Sequence, residues 1–374
     1  MHKIKVLIVD DSALVRQMLG EMLSSHPQIE VVGSAHDPYM ARDMIKQLHP
    51  DVLTLDIEMP KMDGISFLKN LMRLHPLPVV MVSTLTEHGA EVTLQALELG
   101  AIDFVTKPKI NLVQTFENYT QEICSKVLMA SKVSRGTLER QYARYSSNQQ
   151  TRPKVERVEA PSLVSEKYDA DVILKKSTHP RPARSSEKII AIGASTGGTE
   201  AIKEVLMRLP ANTPPIVISQ HIPAAFSGPF AQRMDSVSEL TVHEAKDNQP
   251  ILQGHVYIAP GDKHLLIEPV GGKFICRLND GPPVNRHKPS VDVMFRSVAQ
   301  NVGNNAIGVI LTGMGADGAK GLKEIQETGA ATIAQDQKTS VVWGMPGEAV
   351  KLGAADYVLG LDQVAHKILS LANK

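Results

Sequence analysis

Lys188-Ile-Ile-Ala-Ile-Gly-Ala-Ser-Thr-Gly-Gly-Thr199 begins as an apolar run of strand length and ends in small residues. The run Ile189–Ile192, the glycines at 193, 197 and 198, and the helix-length stretch Gly198–Leu209 read as a strand turning sharply into a helix. The same alternation continues outward. Further strands are predicted at Pro215–Ser219, Val256–Ile258, Ala306–Leu311, Ala331–Ala334 and Asp356–Val358. Helices are predicted at Phe226–Met234, Ser290–Gln300, Gly318–Thr328 and Pro346–Lys351. Strands alternating with helices imply a parallel sheet covered on both faces. Residues 188–374 therefore read as a doubly wound, mainly parallel α/β domain, with an antiparallel insert around His255–Leu278.

Towards the amino terminus a second alternation runs from Ile4 to Phe104. Its short β-rich runs are Lys5–Val9, Val31–Gly33, Val52–Leu55, Val79–Ser83 and Ile102–Val105. The segments between them repeat apolar residues three or four apart, as in Leu14, Met18, Leu19, Met22 and Leu23. Five such units predict a flavodoxin-like domain over residues 1–125. Between the domains, Ser146–Gln150 and His179–Pro182 exemplify a stretch rich in Arg, Lys, Ser, Gln and Pro with little apolar periodicity. Residues 126–187 accordingly read as a flexible, solvated linker.

Length and charge agree with this division. A chain of 374 residues is long for one core. Lys plus Arg and Asp plus Glu both number 40, which argues against a globally basic nucleic-acid binder. The two cysteines, Cys124 and Cys276, form neither a disulfide framework nor a metal pattern and fit a reducing compartment. The first apolar run is broken by Asp10 and Asp11, too early for a signal peptide or a membrane span. The reading is a cytoplasmic protein without membrane insertion.

In a doubly wound sheet, ligands gather at the carboxyl ends of the strands. Asp10 and Asp11 end the first amino-terminal strand and Asp56 the third. Three carboxylates on one rim repel unless a cation joins them, and an all-oxygen site suits Mg²⁺. Ser83 ends the fourth strand and offers a hydroxyl. Lys107 follows the fifth, before Pro108, and reaches the same rim as a point charge. One carboxylate attacking a phosphoryl donor fits this group. Asp10–Asp11, Asp56 within Leu-Asp-Ile-Glu-Met-Pro, Asp63–Gly64, Ser83–Thr84 and Lys107–Pro108 resemble a two-component receiver domain over about residues 3–119. The resemblance implies Asp56 as phosphoacceptor and Asp10, Asp11, Asp56 and the Glu58 carbonyl as Mg²⁺ ligands. It further implies Ser83 as switch hydroxyl, Lys107 as phosphate partner and Phe104 as the aromatic that follows the switch.

In the carboxy-terminal domain, Gly193-Ala-Ser-Thr-Gly197 has the G-x-S-x-G spacing that exposes a serine at a strand-to-helix turn. Helix amino-terminal N–H groups there favour an anion. A P-loop needs Gly-Lys-Ser/Thr, whereas Gly198 is followed by Thr199 and Glu200; a dinucleotide fingerprint needs glycine where Ser195 stands. Both readings are weakened and stay open. A nucleophilic serine requires a base and a group that orients it. His221 follows the strand Pro215–Ser219, and Asp317 lies in Thr312-Gly-Met-Gly-Ala-Asp-Gly318 after the strand ending at Leu311. The chain order Ser, His, Asp differs from that of α/β-hydrolases, chymotrypsin and subtilisin.

Gly-Ala-Ser-Thr-Gly-Gly, Ser-Gln-His-Ile-Pro and Leu-Thr-Gly-Met-Gly-Ala-Asp-Gly resemble the three catalytic segments of the chemotaxis protein-glutamate methylesterase family. Pro260–Gly261 and Arg286–Asp292 fit the same pattern, over about residues 188–372. The resemblance implies Ser195 as nucleophile, His221 as base and Asp317 as orienter, with Thr196 and Met314 near the oxyanion and base. It also implies hydrolysis of glutamyl methyl esters on chemoreceptors, deamidation of receptor glutamines and a histidine kinase as phosphodonor. The unphosphorylated receiver would cover the esterase cleft, and the esterase chemistry would need no cofactor. Arg286, His287 and Lys288 form a basic cluster near the expected rim. A DNA-binding effector would instead need a basic helix-turn-helix after the linker, where an α/β pattern stands. A non-catalytic scaffold would keep the receiver and hydrolyse no ester.

Overall fold

Apolar runs of four to seven residues have no face to spare for water, and in both halves of the chain they become the inner strands of parallel sheets. A computed structural model describes residues 3–59, 62–84, 87–107, 113–147, 168–177 and 187–373. The chain divides into two units, Met1–Glu159 and Ala160–Lys374.

In the first unit, β1 (Ile4–Val9), β2 (Ile29–Ala35), β3 (Val52–Asp56), β4 (Val79–Ser83) and β5 (Asp103–Thr106) alternate with α1 (Ala13–Ser24), α2 (Pro38–Leu48), α3 (Gly64–Leu74) and α4 (Glu87–Leu99). The strand order is β2-β1-β3-β4-β5 and every pairing is parallel. Val6, Leu7, Ile8 and Val9 are completely buried. Each such side chain contributes roughly 1.5–3 kcal/mol over its exposed state. Three helices start on side-chain caps: Ser12, Asp37 and Asp63 accept from Val15 N, Met40 N and Ser66 N. Each cap stabilises its helix by about 1 kcal/mol. The order reverses between β1 and β3, so their carboxyl ends flank the crevice.

Two further helices, α5 (Val113–Ala130) and α6 (Arg135–Ser147), complete the unit. They correct the expected linker over 126–147. Polar composition hid α6, whose few apolar residues are concentrated where it packs on α3 and α4. Leu138 is completely buried, Tyr145 is nearly so, and Gln141 Nε2 donates to the Leu97 carbonyl at 3.0 Å. Residues 148–167 and 178–186 of that expectation, with Pro60 and Pro108 of the receiver motifs, lie outside the described residues.

The second unit runs β6 (Ile189–Ala194), α7 (Gly198–Leu206), β7 (Ile216–Gln220), α8 (Ala224–Val237), β8 (Thr241–Glu244), β9 (His255–Ile258), β10 (His264–Val270), β11 (Lys273–Asn279), α9 (Val291–Asn301), β12 (Ala306–Ile310), α10 (Ala319–Glu327), β13 (Ala331–Gln335), α11 (Met345–Lys351), β14 (Tyr357–Leu359) and α12 (Leu361–Ala372). The sheet order is β14-β13-β12-β6-β7-β9-β8, all parallel. The antiparallel insert is the β10–β11 hairpin alone, registered from His264↔Asn279 to Val270↔Lys273. The expectation of an insert beginning at His255 is thereby corrected: His255 opens β9, inside the parallel sheet. The edge strand β8, four residues long, was not foreseen. Residues 168–177 are also ordered against this unit, through a single 3₁₀ turn, and the linker expectation is corrected there as well. Among the described residues, no helix is long and apolar enough to cross a membrane.

Candidate functional site

The second sheet places β6 between β12 and β7, and the chain winds first towards β7 and later back to β12. The carboxyl ends of β6 and β12 therefore bound the crevice where such sheets take ligands. Ser195 stands immediately after β6, half-buried, and its N–H donates to the Thr312 carbonyl at 3.0 Å. That bond ties the serine turn to the loop after β12. Gly313 permits the approach, since a Cβ there would lie 2.8 Å from the Ser195 Cβ. Gly197 adopts φ 74° as the residue before α7, a conformation that costs an L side chain about 1–2 kcal/mol. The Gly198 N–H closes the turn on the Ser195 carbonyl at 2.6 Å.

β7 ends at Gln220 and delivers His221 to the same rim. Its Nδ1 lies 3.1 Å from Ser195 Oγ and its Nε2 lies 2.8 Å from Asp317 Oδ2. Gln220 Nε2 donates to the carbonyls of Ser195 (3.0 Å) and His221 (3.2 Å), bracing the two segments. Asp317 is 2% exposed. Beyond the imidazole, it accepts from Ser290 Oγ (2.8 Å), Asn285 Nδ2 (2.9 Å), Val291 N (2.7 Å) and Asp292 N (3.2 Å). Burial pushes its carboxyl up, but His221, His287 and Asn285 outweigh that and hold it below the usual range. An ionised carboxylate only accepts, so Nε2 carries the proton and Nδ1 is left to accept from the serine hydroxyl. The serine-protease template uses the two ring nitrogens the other way round.

Of three further partners in this chain of bonds, Asn285 lies outside the stretches that carry the family resemblance, and Ser290 and Asp292 lie within one of them, Arg286–Asp292, without a role that the sequence assigns. They come from the loop before α9 and its first turn. The usable signal is the polar cluster Asn-Arg-His-Lys-Pro-Ser ahead of a predicted helix, in which the basic residues stand out most. Of those, His287 reaches the site and stacks on His221, ring centroids 3.7 Å apart and planes 11° from parallel. Arg286 is exposed, and Lys288 Nζ lies 3.5 Å from the Asp280 carbonyl. Asp292 is pushed up to about 7, by burial first and then by the neighbouring Asp317 charge. Thr196 is buried beside the serine, and its carbonyl accepts from Thr312 Oγ1 at 3.0 Å. Met314 follows Gly313, half-buried, in the loop that carries Asp317.

On the first sheet, Asp10 and Asp56 are each 1% exposed, and Asp11 lies outward. Asp10, Asp11 and Asp56 each present an oxygen, all within 4.8 Å of one another. Lys107 Nζ reaches Asp56 Oδ2 at 2.7 Å and Asp10 Oδ2 at 3.2 Å. Ser12 N and Ile57 N donate to Asp10 and Asp56 at 2.8 and 2.7 Å. Arg16 clasps the carbonyls of Asp10 and Asp11 at 2.8 and 2.9 Å, fixing the turn. Burial raises Asp10, and it pushes Asp56 up to about 6 against the pull of Lys107. Burial alone would lower Lys107, but Asp56 and Asp10 raise it. Among the described residues, Asp10 Oδ2 has the ammonium near it but no hydrogen bond of good geometry. A hard cation with oxygen ligands fits this deficit. Glu58 follows within two residues of Asp56 and its side chain is exposed. Ser83 is buried with Oγ 3.3 Å from the Thr84 carbonyl. Phe104 is buried opposite Met81, with Lys126 Nζ 5.2 Å from its ring centroid.

Both rims thus hold groups suited to chemistry: an oxygen-rich anionic cluster on one, and a hydroxyl hydrogen-bonded to an oriented imidazole on the other. Residues 190–368 match the CheB methylesterase family, and residues 6–117 match the response regulator receiver domain. The chain is 70% identical over 378 residues to the protein-glutamate methylesterase/protein-glutamine glutaminase of Hydrogenovibrio crunogenus, with 100% of both chains covered. It is 53% identical over 372 residues to a protein of that name, numbered 1, from Xanthomonas campestris pv. campestris, covering 99% of this chain and 97% of the other. The crystal structure of the Thermotoga maritima CheB methylesterase catalytic domain is 42% identical, covering 50% of this chain and 98% of that one, with a TM-score of 0.49. The chain belongs to the protein-glutamate methylesterase/protein-glutamine glutaminase family, in which a receiver domain precedes a CheB methylesterase domain.

Proposed function

We propose that this chain is a cytoplasmic, phosphorylation-activated serine hydrolase that removes methyl groups from glutamyl methyl esters of chemoreceptors and deamidates receptor glutamines. The hydrogen-bonded series Ser195–His221–Asp317, at 3.1 and 2.8 Å, carries this reading. Ser195 Oγ attacks the γ-carbonyl and His221 Nδ1 takes its proton. The C–O bond to the methoxy group then breaks, and His221 returns the proton to departing methanol. Asp317 keeps Nε2–H in place and stabilises the imidazolium without itself becoming protonated. Backbone N–H groups at the start of α7, by Thr196, and the loop at Met314 receive the oxyanion, each donor contributing about 3 kcal/mol in comparable sites. Water hydrolyses the acyl-enzyme by the same route in reverse, and a glutamine side chain would follow the same course with ammonia leaving.

In the receiver unit, Asp56 would be the phosphoacceptor, with a histidine kinase as donor. Asp10, Asp11, Asp56 and the Glu58 carbonyl would hold Mg²⁺, which offsets charge on the transferring phosphoryl group. Lys107 would pair with the phosphoryl oxygens in place of the carboxylates, Ser83 would turn towards them, and Phe104 would follow. Adding about two negative charges at Asp56 is the input that raises esterase activity.

Methanol release from methylated receptor membranes tests both halves. Wild type and Ser195→Ala would be compared with and without a small phosphodonor and Mg²⁺. Release that requires Ser195 and rises with phosphodonor is expected. Release indifferent to phosphodonor would remove control through Asp56. No release from folded, phosphorylated wild type would sink the esterase reading in favour of a nucleotide-binding or scaffold role.

A further inference from the structure

Residues 168–177 precede β6 by more than ten positions, yet they are built into the surroundings of the catalytic histidine. Three kinds of bond hold them. Ala170, Ile173 and Leu174 pack with Leu266 of β10, Val293 of α9 and Val284 into a small apolar cluster separate from the main core. Ile173 also fills the space over Gly281, where a Cβ would overlap its Cδ1. Second, the buried Arg296 of α9 is shared. Its Nε and Nη2 donate to Glu324 of α10 at 3.0 and 2.8 Å. Its Nη1 donates to the Asp171 carboxylate and to the Leu174 carbonyl, the latter at 2.9 Å. Third, Tyr168 forms a β-bridge with Val284, and its carbonyl accepts from Asn285 N at 2.8 Å.

The consequence lies in what Val284 begins. Val284 and His287 exchange backbone hydrogen bonds at 3.0 and 2.8 Å, closing a tight turn around Asn285 and Arg286. Both central residues have positive φ, 52° and 71°, without being glycine. Asparagine adopts that region readily, but Arg286 is strained there by about 1–2 kcal/mol, so the surroundings help to hold the turn. Its two inward side chains act on the catalytic series: Asn285 Nδ2 donates to Asp317 and Asp292, and His287 stacks on His221.

We propose that residues 168–177 are a strap that holds the 284–287 turn in its strained form, making Ile173, Asp171 and Arg296 positioning residues for His221 and Asp317. The inference rests on the serine-hydrolase reading. The apolar cluster and the Arg296 bonds set the strap, the strap sets the turn through Tyr168, and the turn sets the rotation of the imidazole between Ser195 and Asp317. The exposed carboxylate of Asp171 contributes little by its charge alone; its effect comes from completing the donors of a buried guanidinium.

The test uses the full-length protein and a fluorophosphonate probe that labels an activated serine, with ester turnover in parallel. Ile173→Ala is expected to slow labelling and lower kcat on the order of tenfold with KM little changed, within the hundredfold that a displacement of about 1 Å produces. Ile173→Val should restore most of the rate, and the pH profile of labelling should shift in the alanine variant alone. Asp171→Asn, which removes no apolar volume, should slow labelling about threefold and serves should Ile173→Ala fail to fold. Labelling of a folded Ile173→Ala or Asp171→Asn at the wild-type rate, beside normal wild-type labelling at Ser195, would overturn the strap alone. Absence of Ser195 labelling in wild type would overturn the hydrolase reading and the strap with it.

Discussion

The two units solve the same topological problem with opposite electrostatics. Each winds a parallel sheet in two directions from an inner strand, and each collects its reactive groups where the winding reverses. In the first, Asp10 and Asp56 are buried with few donors among the described residues: one backbone N–H each and a shared ammonium. In the second, Asp317 is equally buried but takes five donors. Burial pushes all three carboxyls up, and the supply of donors together with the sign of the neighbouring charges decides the outcome. Asp56 moves up to about 6 and Asp317 moves down. A starved carboxylate suits a site that must accept a cation and a phosphoryl group. A saturated one suits a site whose carboxylate must stay charged and still.

The strongest way to break this contrast is to make the same substitution on both rims. Asp317→Asn leaves an amide among donors that need an acceptor, and it removes the group that fixes the His221 tautomer. Ester hydrolysis should fall about 10³- to 10⁴-fold. The second unit should lose about 3 kcal/mol of stability in thermal or urea unfolding. Asp56→Asn removes one of two crowded carboxylates instead. Its unit should gain about 1 kcal/mol and melt several degrees higher in Mg²⁺-free buffer. Basal hydrolysis should persist while stimulation by a phosphodonor disappears. Asparagine destabilising both units, or neither, would remove donor supply as the explanation.

The order of these effects also shows which features the sequence made legible. Asp10, Asp56, Ser195 and His221 stand at or within three residues of the end of a run that reads as a strand, and Asp317 stands in the glycine-rich loop after one, so a parallel topology brings them to two rims. Asn285, Ser290 and Asp292 could not be found that way. They reach Asp317 because the chain leaves the β10–β11 hairpin, makes a turn with two positive φ values and enters α9 facing the loop after β12. No local pattern encodes that meeting. Nor does sequence say which imidazole nitrogen faces the serine; that follows from His221 entering from β7 with Asp317 approaching from β12. The helix α6 was missed for a different reason. Its polar composition reads as linker, and its helix is stabilised by Leu138 and Tyr145 docking on α3 and α4, which is tertiary information.

Acid titration sharpens the comparison with effects of intermediate size. Asp56 sits at about 6 in the folded unit against an ordinary 3.8, so the folded form binds the proton more tightly than the unfolded chain. Without Mg²⁺, the first unit should therefore lose stability as pH rises from about 4 to 6, and most of that slope should vanish in Asp56→Asn. Asp317 is depressed, so its contribution is present above its ordinary value and fades as pH falls through the lowered one. Over the same window it should contribute no downward slope. Asp292, pushed up to about 7, gives the second unit a falling slope of its own, so unfolding midpoints between pH 4 and 7 would be followed for each unit in wild type and in Asp56→Asn, which should flatten the first unit's slope alone. A first-unit slope left unchanged by Asp56→Asn would contradict the assignment.

The smallest effect concerns the group that restrains the reactive one on each rim. For Asp56 it is the Lys107 ammonium; for His221 it is a ring, His287, stacked at 3.7 Å. If stacking is what matters, His287→Phe should keep hydrolysis within about twofold of wild type, because an aromatic face remains over the imidazole. His287→Ala should lower it three- to tenfold, the rate equivalent of about 0.5–1.5 kcal/mol for one aromatic pair. A charge-based role predicts instead that phenylalanine and alanine are equally impaired. Measured beside Lys107→Met, which should abolish the phosphodonor response through loss of an ion pair, the His287 variants separate restraint by shape from restraint by charge.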